Sequence, residues 1–416
     1  MNGRLRGRFK FAPIHALIVV LLVSVLCRSF RLRVPNQAII FDEKYYVNAA
    51  RVILGRHVAA GDPYAGQPVG LDPNHEHPPL GKLLIAGSMR LFGDDPLGWR
   101  LPSLLAGVAS IVLVYAIVRA ADGDGWLAVV ASTVFAFDNL VLVHSRIATL
   151  DIPFVAFLLL AVWCWLRGWH LAAGAACALA ALIKLPALYG FAALLLLAVG
   201  RIVRERLGER AWRRSSLRAA ALLVLGFTVV AFLGLWVLDR AFTPYDTPWA
   251  HVRYMLHYGF ALSGHGGRKT VASPPWDWLA NKIQIPYFRV VLHVKAHGQL
   301  VHSRRTVDFR GAMNPAVIYA APLAFAYVAW RAWRVREALS LWVVAWVAAT
   351  YLPYYALVLL TDRTTYIFYF LATLPAVAVA IAQLLRQSRL PQAVTWAYLV
   401  LVAVGFGTYF PFRRIF

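Results

Sequence analysis

The chain has 416 residues, 60% of them hydrophobic and 15% charged, and its mean hydropathy is +0.62. This composition excludes an ordinary soluble domain, which would lack the polar surface to cover so many apolar side chains, and it predicts a protein of the lipid bilayer. The formal net charge of +23 suits contact with anionic lipid headgroups and with a phosphate-bearing substrate, and no nucleic acid partner is expected.

The first predicted elements are apolar segments long enough to form helices across about 30 Å of hydrocarbon. Lysine and arginine concentrate in short loops on the side of the basic N-terminus, which by the positive-inside rule is the cytoplasm. The sequence predicts an all-α polytopic membrane protein of one domain, 1–416, whose C-terminus and two long loops, 28–100 and 239–315, are extracytoplasmic. About eleven transmembrane helices are expected, near residues 11–27, 101–119, 126–143, 151–166, 170–183, 186–200, 219–238, 316–330, 339–360, 365–385 and 393–411.

The two long loops differ in pattern. In the first loop, residues 41–54 and 79–92 carry apolar side chains at helical spacing but are too short or too amphipathic to span. They are predicted to be interfacial helices that form a platform over the bundle. The second loop is rich in His, Trp, Pro and Gly, and its sequence predicts little regular structure.

Seven of the nineteen acidic residues lie in the first long loop, and Asp42-Glu43 stands at the start of its first predicted helix. Acids beside a membrane are costly and need a reason. A carboxylate held there could act as a general base toward an incoming hydroxyl. Asp42 could equally be an N-cap that satisfies free backbone amides. The spacing alone supports both interpretations.

His75, Glu76 and His77 form the next group of ionisable residues, directly before two prolines. A His-x-His pair beside a carboxylate could bind zinc, although a structural role for His77 at the entry to the second interfacial helix is at least as well supported. Lys82, one turn into that helix, is expected to face the headgroup layer, where a snorkelling lysine is ordinary.

Further charged residues lie at predicted outer helix ends. Asp138-Asn139, Ser145-Arg146 and Asp151 cluster there, and Asp151 reads as a helix N-cap with which Arg146 could pair. Basic residues at outer ends run against the positive-inside bias and could bind a lipid phosphate, since Arg offers a planar fork and Lys a point charge. Headgroup contacts are the alternative for these three basic residues, Arg100, Lys184 and Arg363.

These motifs, taken in order, resemble the protein O-mannosyltransferases and their bacterial relatives among the lipid-phosphate-dependent glycosyltransferases. The matching segments span nearly the whole chain, and the resemblance implies a bundle of eleven helices of the GT-C type with its catalytic face outside the cytoplasm. The segments are Phe41-Asp42-Glu43, His77–Lys82, Trp99–Ser103, Phe137–Leu140 with Ser145-Arg146 and Leu150-Asp151, Met313–Pro315 and Arg363–Tyr369.

The resemblance also implies residue roles. Asp42 matches the catalytic aspartate, the base that activates the acceptor hydroxyl for inverting attack on the anomeric carbon, and Glu43 is its companion acid. A second set is implied to hold the carrier phosphate: Arg100, Arg363, Lys184 and Arg146. A third set is expected on the structural or acceptor side: His77, Lys82, Asp138 and Asn314. No cofactor is required in this scheme, because arginines can replace a divalent cation; a metal at His75, Glu76 and His77 stays open.

The leading hypothesis is transfer of mannose from a polyprenyl-phosphate carrier to Ser or Thr of an exported protein, with membrane lipids as further partners. A second hypothesis keeps the fold and changes the substrates to a pentose or aminoarabinose donor and a glycolipid or cell-wall glycan acceptor. A third is a transporter of lipid-linked saccharides. Transporters place ionisable groups at the bilayer midplane and show internal repeats, whereas this chain concentrates its acids and histidines in the outer loops.

Overall fold

The computed structural model describes residues 12–35, 38–207, 213–261, 271–296 and 299–412, and this part of the chain is mostly helical. The helices are α1 (Pro13–Ser29), α2 (Glu43–Ile53), α3 (Leu80–Phe92), α4 (Pro96–Ala121), α5 (Gly125–Ala136), α6 (Asn139–His144), α7 (Asp151–Leu166), α8 (His170–Ala181), α9 (Ala187–Leu207), α10 (Arg213–Phe242), α11 (Pro248–Ala261), α12 (Pro275–Trp278), α13 (Pro315–Arg334), α14 (Ala338–Thr350), α15 (Pro353–Thr361), α16 (Leu374–Gln387) and α17 (Gln392–Thr408), with a 3-10 helix at Ile367–Ala372.

Each of the eleven predicted apolar segments contains an apolar helix. Among the described residues, four helical segments are long and apolar enough to cross a membrane, and seven shorter apolar helices have 10–17 residues. The number of helices that cross the bilayer therefore stays a prediction. The four long segments are Pro96–Ala121, Ser216–Phe242, Pro315–Arg334 and Ala338–Thr361.

The bundle packs closely where small residues face each other, as membrane helices do when backbones approach. At the crossing of α8 and α10, a Cβ added to Gly174 would lie 2.0 Å from the Leu223 carbonyl oxygen, and one added to Gly226 would lie 2.2 Å from that of Leu171. Only glycine fits these two positions. Helix α7 lies inside the bundle, with most of its residues buried.

The two helices predicted in the first long loop are present as α2 and α3, so this prediction is confirmed for their helical structure. The N-terminus of α3 docks on the bundle at Gly81, where an added Cβ would lie 2.6 Å from Leu150 and 3.0 Å from Ile183. This close approach brings the segment that precedes α3 to the start of α7 and the end of α8.

The second long loop is more regular than its sequence indicated, and the all-α class was incomplete. Besides α11 and α12, it forms an antiparallel hairpin of β1 (Ile285–Ala296) and β2 (Gln299–Gly311), with register shifts along the ladder. Runs such as Val290–Val294 are rich in the aliphatic side chains that suit a strand. The His- and Gly-rich run at 263–267 lies outside the described residues.

Candidate active site

Asp42 occupies the residue before α2, but its side chain makes no capping hydrogen bond. Within the described parts of the chain, no hydrogen bond or ion pair engages this half-buried carboxylate, so the interpretation as a side-chain N-cap was wrong. Burial raises the pKa of Asp42 to about 6, Lys184 opposes the rise and Asp151 adds to it. A free carboxylate with this pKa is suited to accept a proton near neutral pH.

The residue before Asp42 has an unusual backbone. Phe41 has φ +55°, the left-handed region that a bulky residue rarely adopts. Its ring stacks on Tyr287 of β1, with centroids 4.0 Å apart, and meets Phe368 edge-on at 5.5 Å. Strained conformations persist where the surroundings over-determine them, and they cluster at functional sites.

Glu43 and Arg100 form a buried clasp between α2 and α4, with side chains 0% and 1% exposed. The Arg100 Nε donates to Glu43 Oε1 at 2.7 Å, and Nη2 donates to Oε2 at 3.0 Å. The same carboxylate accepts the backbone N–H of Ile40 at 2.7 Å and that of Ala148 at 2.8 Å. Glu43 therefore fixes the turn that carries Asp42.

Arg100 is fully occupied inside the protein. Besides its two bonds to Glu43, it donates to the backbone carbonyls of Leu32 at 2.9 Å, Val34 at 3.5 Å and Ala38 at 3.0 Å. These bonds use all five N–H groups of the guanidinium. Arg100 therefore has no N–H group left for the donor phosphate, and the expected phosphate role does not fit this geometry. Its bonds give Arg100 a structural role instead.

Arg146 is also placed inside the fold. Its side chain is buried and donates to the carbonyls of Cys27 and Phe30, at the C-terminal end of α1. A cation at this end satisfies free carbonyls and complements the helix dipole. The alternative pairing of Arg146 with Asp151 was wrong, because Asp151 pairs with Lys184 instead. The phosphate role implied for Arg146 stays a prediction.

Lys184 lies at the site, paired with Asp151 in the first turn of α7. Its Nζ donates to Asp151 Oδ1 at 2.8 Å, and it forms no other hydrogen bond to a residue that the structure describes. Both side chains are largely buried. The Lys184 charge acts on Asp42, and two of its three N–H donors remain available for a bound anion.

Arg363 is the second available cation. It lies between α15 and the 3-10 helix, is half-buried, and its guanidinium has no hydrogen bond or ion pair to the described residues. It approaches α11 at Gly259, where an added Cβ would lie 3.7 Å from its Nη1. A tyrosine wall adjoins it, in which the ring of Tyr354 stacks on that of Tyr369 at 5.3 Å and meets that of Tyr189 at 5.4 Å.

Lys82 is buried, which overturns the expectation that it faces the headgroup layer. Its Nζ lies 2.7 Å from Asp72 Oδ2 and donates to the carbonyls of Asn74 and His77, each at 2.6 Å. Three contacts from one ammonium group hold the loop before α3 in a fixed shape. Lys82 is therefore a structural residue of this loop.

Asp138 and Asn314 form a hydrogen-bonded connection between helices inside the bundle. Asp138 caps α6 by accepting the N–H groups of Leu140 and Val141, and it accepts the Asn314 N–H at 2.9 Å. The Asn314 amide donates to the carbonyls of Phe137 and Val402. Both residues hold helices together. The N-cap interpretation of Asp151 was wrong, because Leu150 is the N-cap residue of α7 and Asp151 lies in the first turn of the helix.

The zinc alternative gains no support from the arrangement of side chains. No group of three or more His, Cys, Asp or Glu residues that could hold a metal occurs in the described segments. The His75 ring packs near Tyr245 and Tyr254, with centroids 5.4 and 6.1 Å apart. The His77 ring instead faces Tyr46 at 6.2 Å.

One structural link had no signal in the sequence. His251 of α11 lies with Nδ1 2.6 Å from Asp239 Oδ1 in α10, while Nε2 bonds the His75 carbonyl at 2.8 Å. The two partners of His251 lie 12 and 176 residues away along the chain. This link ties the second long loop to the first, and only the folded chain reveals it.

Comparisons with known proteins agree with this architecture. A family model described as dolichyl-phosphate-mannose-protein mannosyltransferase matches residues 76–239. A polyprenol-phosphate-mannose--protein mannosyltransferase of Corynebacterium glutamicum is 26% identical over 82% of this chain and 76% of that protein. The protein of the same name from Mycobacterium tuberculosis is 35% identical, over 30% of this chain and 22% of that protein.

The fold has a close counterpart among solved structures. The Saccharomyces cerevisiae protein O-mannosyltransferase Pmt1-Pmt2 complex, bound to the sugar donor, superposes with a TM-score of 0.73 at 12% identity, over 98% of this chain and 91% of that chain. Taken with the family model and the bacterial relatives, this match gives the chain the fold of the GT-C membrane glycosyltransferases and makes it similar to the protein O-mannosyltransferases.

Proposed function

We propose that this enzyme transfers mannose from a polyprenyl-phosphate carrier to a Ser or Thr hydroxyl of an exported protein. The observation that carries the proposal is a half-buried carboxylate, Asp42, which has no partner among the described residues and whose pKa is raised to about 6. Lys184, whose charge acts on Asp42, and Arg363 are the cations with available donors. The names of the bacterial relatives supply the sugar and the class of acceptor.

The reaction follows from these three residues. Asp42 accepts the proton of the acceptor hydroxyl as its oxygen attacks the anomeric carbon. The bond between that carbon and the phosphate oxygen breaks, and its electron pair leaves with the polyprenyl phosphate. Lys184 and Arg363 stabilise the charge that develops on the leaving phosphate. A single displacement of this kind inverts the anomeric carbon.

The proposal needs no metal ion, because Lys184 and Arg363 supply the positive charge that a divalent cation supplies in other transferases. It also places the N-terminus in the cytoplasm, and Asp42 and the C-terminus outside it. The basic loops support this orientation through the positive-inside rule.

The test is transfer by the purified enzyme in detergent. Labelled polyprenyl-phosphate mannose and a Ser/Thr peptide should give labelled peptide, and Asp42→Asn should abolish transfer while the protein elutes as a single folded peak. Asp62→Asn is the matched control, because it removes an exposed acid from the same loop. Normal turnover by Asp42→Asn would refute the proposed base. Transfer from pentose donors alone would favour the pentose hypothesis instead.

A further inference from the structure

His77 lies beside the candidate active site because of how α3 packs. Four residues after it, Gly81 touches Leu150 and Ile183, the residues directly before Asp151 and Lys184 in the chain. On its other side, the His77 ring lies 6.2 Å from the ring of Tyr46, one helical turn after Asp42. His77 thus lies near the element that carries the proposed base, and the charge of Lys184 acts on its ring.

The ring of His77 differs from those of the structural histidines. His144 engages both ring nitrogens, with Thr149 at 3.2 Å and Tyr287 at 3.0 Å, and His251 also engages both. In His77 the Nδ1 is buried with no hydrogen-bond partner among the described residues. Buried polar groups are nearly always satisfied, so an unsatisfied one needs an explanation.

The charges around His77 define which ligand it suits. Burial lowers the pKa of His77 well below its usual range, and Lys184, Lys82 and Arg363 act in the same direction. A neutral imidazole offers one donor and one acceptor. It therefore suits a hydroxyl group, which also donates and accepts, whereas the two neighbouring cations suit the phosphate.

We propose that His77 contacts the transferred sugar and hydrogen-bonds one hydroxyl of the hexose, while Lys184 and Arg363 hold the phosphate at its anomeric end. This inference rests on the proposed function and adds a substrate contact to it. A site built to bond a hydroxyl rejects an analogue that lacks it, because its polar group is then left unpaired. His77 is therefore a specificity residue for the donor.

The experiment compares the intact polyprenyl-phosphate mannose with its 2-, 3-, 4- and 6-deoxy analogues. In the wild type, one analogue should lose about 10- to 100-fold in kcat/KM, the range typical of one lost substrate hydrogen bond. His77→Ala should lose a similar factor with the intact donor and almost nothing further with that analogue. His77→Gln, which keeps a donor and an acceptor, should recover part of the activity.

His75→Ala is the matched control, since it removes a histidine ring two residues away and should keep the wild-type pattern of penalties. The inference is overturned if His77→Ala retains full activity, or if it loses activity with an unchanged deoxy-donor pattern, which would mark a structural residue. If His77→Ala does not fold, His77→Phe replaces it, because phenylalanine keeps the ring volume. Whatever the variants do, the inference is also overturned if the wild type transfers all four deoxy analogues as well as the intact donor. Failure of the wild type with intact donor refutes the proposed function itself.

Discussion

Replacing Arg100 by Met should unfold the protein more readily rather than weaken donor binding. The substitution removes five hydrogen bonds and leaves the carboxylate of Glu43, which is 0% exposed, without its cation. Removing one partner of a buried ion pair costs about 3–5 kcal/mol. The apparent Tm should then fall by roughly 5 °C or more.

The assay is thermal unfolding in detergent, followed by size-exclusion chromatography, with donor kinetics measured well below the transition. Arg363→Met is the matched comparison, because its guanidinium has no partner among the described residues. It should leave the Tm nearly unchanged and lower the donor kcat/KM by about 100-fold, the effect of one lost charge-stabilising group. Adding Glu43→Gln to Arg100→Met should cost less than the sum of the single changes.

The opposite pattern would refute this reasoning. If Arg100→Met melts like the wild type but raises the donor KM selectively, Arg100 contacts the phosphate during turnover and the clasp with Glu43 is not its role. If Arg363→Met lowers the Tm as much as Arg100→Met, the distinction between a structural and an available arginine fails.

Three further predictions follow from the site. Activity should rise with pH through about 6 and level off above about 7, because Asp42 must be ionised to act as the base and its pKa is about 6; a pH-rate profile flat from pH 5 to 7 would contradict this. Lys82→Met should cost about 3–5 kcal/mol of unfolding free energy by leaving Asp72 buried without its cation, as measured by thermal unfolding. Gly81→Val should destabilise the protein by about 1–3 kcal/mol and lower activity, since its Cβ would lie 2.6 Å from Leu150.

Controls sharpen the last two predictions. Gly87→Ala lies in the same helix, α3, and an added Cβ there meets nothing within 4 Å, so it should be neutral or stabilising. Combining Lys82→Met with Asp72→Asn should restore part of the lost stability, because the unpaired charge is gone. If Gly87→Ala is also destabilised, then a loss of stability in Gly81→Val cannot be attributed to the close contact of Gly81 with Leu150.

The sequence predicts the helices of this fold well, because the apolar segments are long and α2 and α3 keep a helical period. It does not predict the hairpin. The aliphatic runs on either side of His297-Gly298, and the glycine between them, are typical of a hairpin, but they lie in a loop crowded with His, Trp and Pro. Strands read from short runs of this kind depend on a partner that sequence alone does not identify.

The roles of the site residues stay predictions. The motifs singled out Asp42, Lys184 and Arg363, whose side chains keep polar groups without a partner among the described residues. They also singled out Arg100, whose placement at an outer helix end runs against the positive-inside rule, and Arg146, for which a phosphate role was expected. Their partners are a carboxylate and backbone carbonyls that lie 57 to 119 residues away in the chain. A partner at that separation leaves no mark on local spacing, so a buried arginine and a ligand-binding arginine look alike in sequence.

The left-handed backbone at Phe41 carries one more consequence. Phe41 directly precedes the proposed base, Asp42, and the Phe41 ring stacks on the ring of Tyr287 in the hairpin. A shift of the hairpin at this ring is passed to the carboxylate through a single residue. The position of the hairpin and the orientation of the Asp42 carboxylate are therefore coupled, so that a displacement of the hairpin should reorient the base.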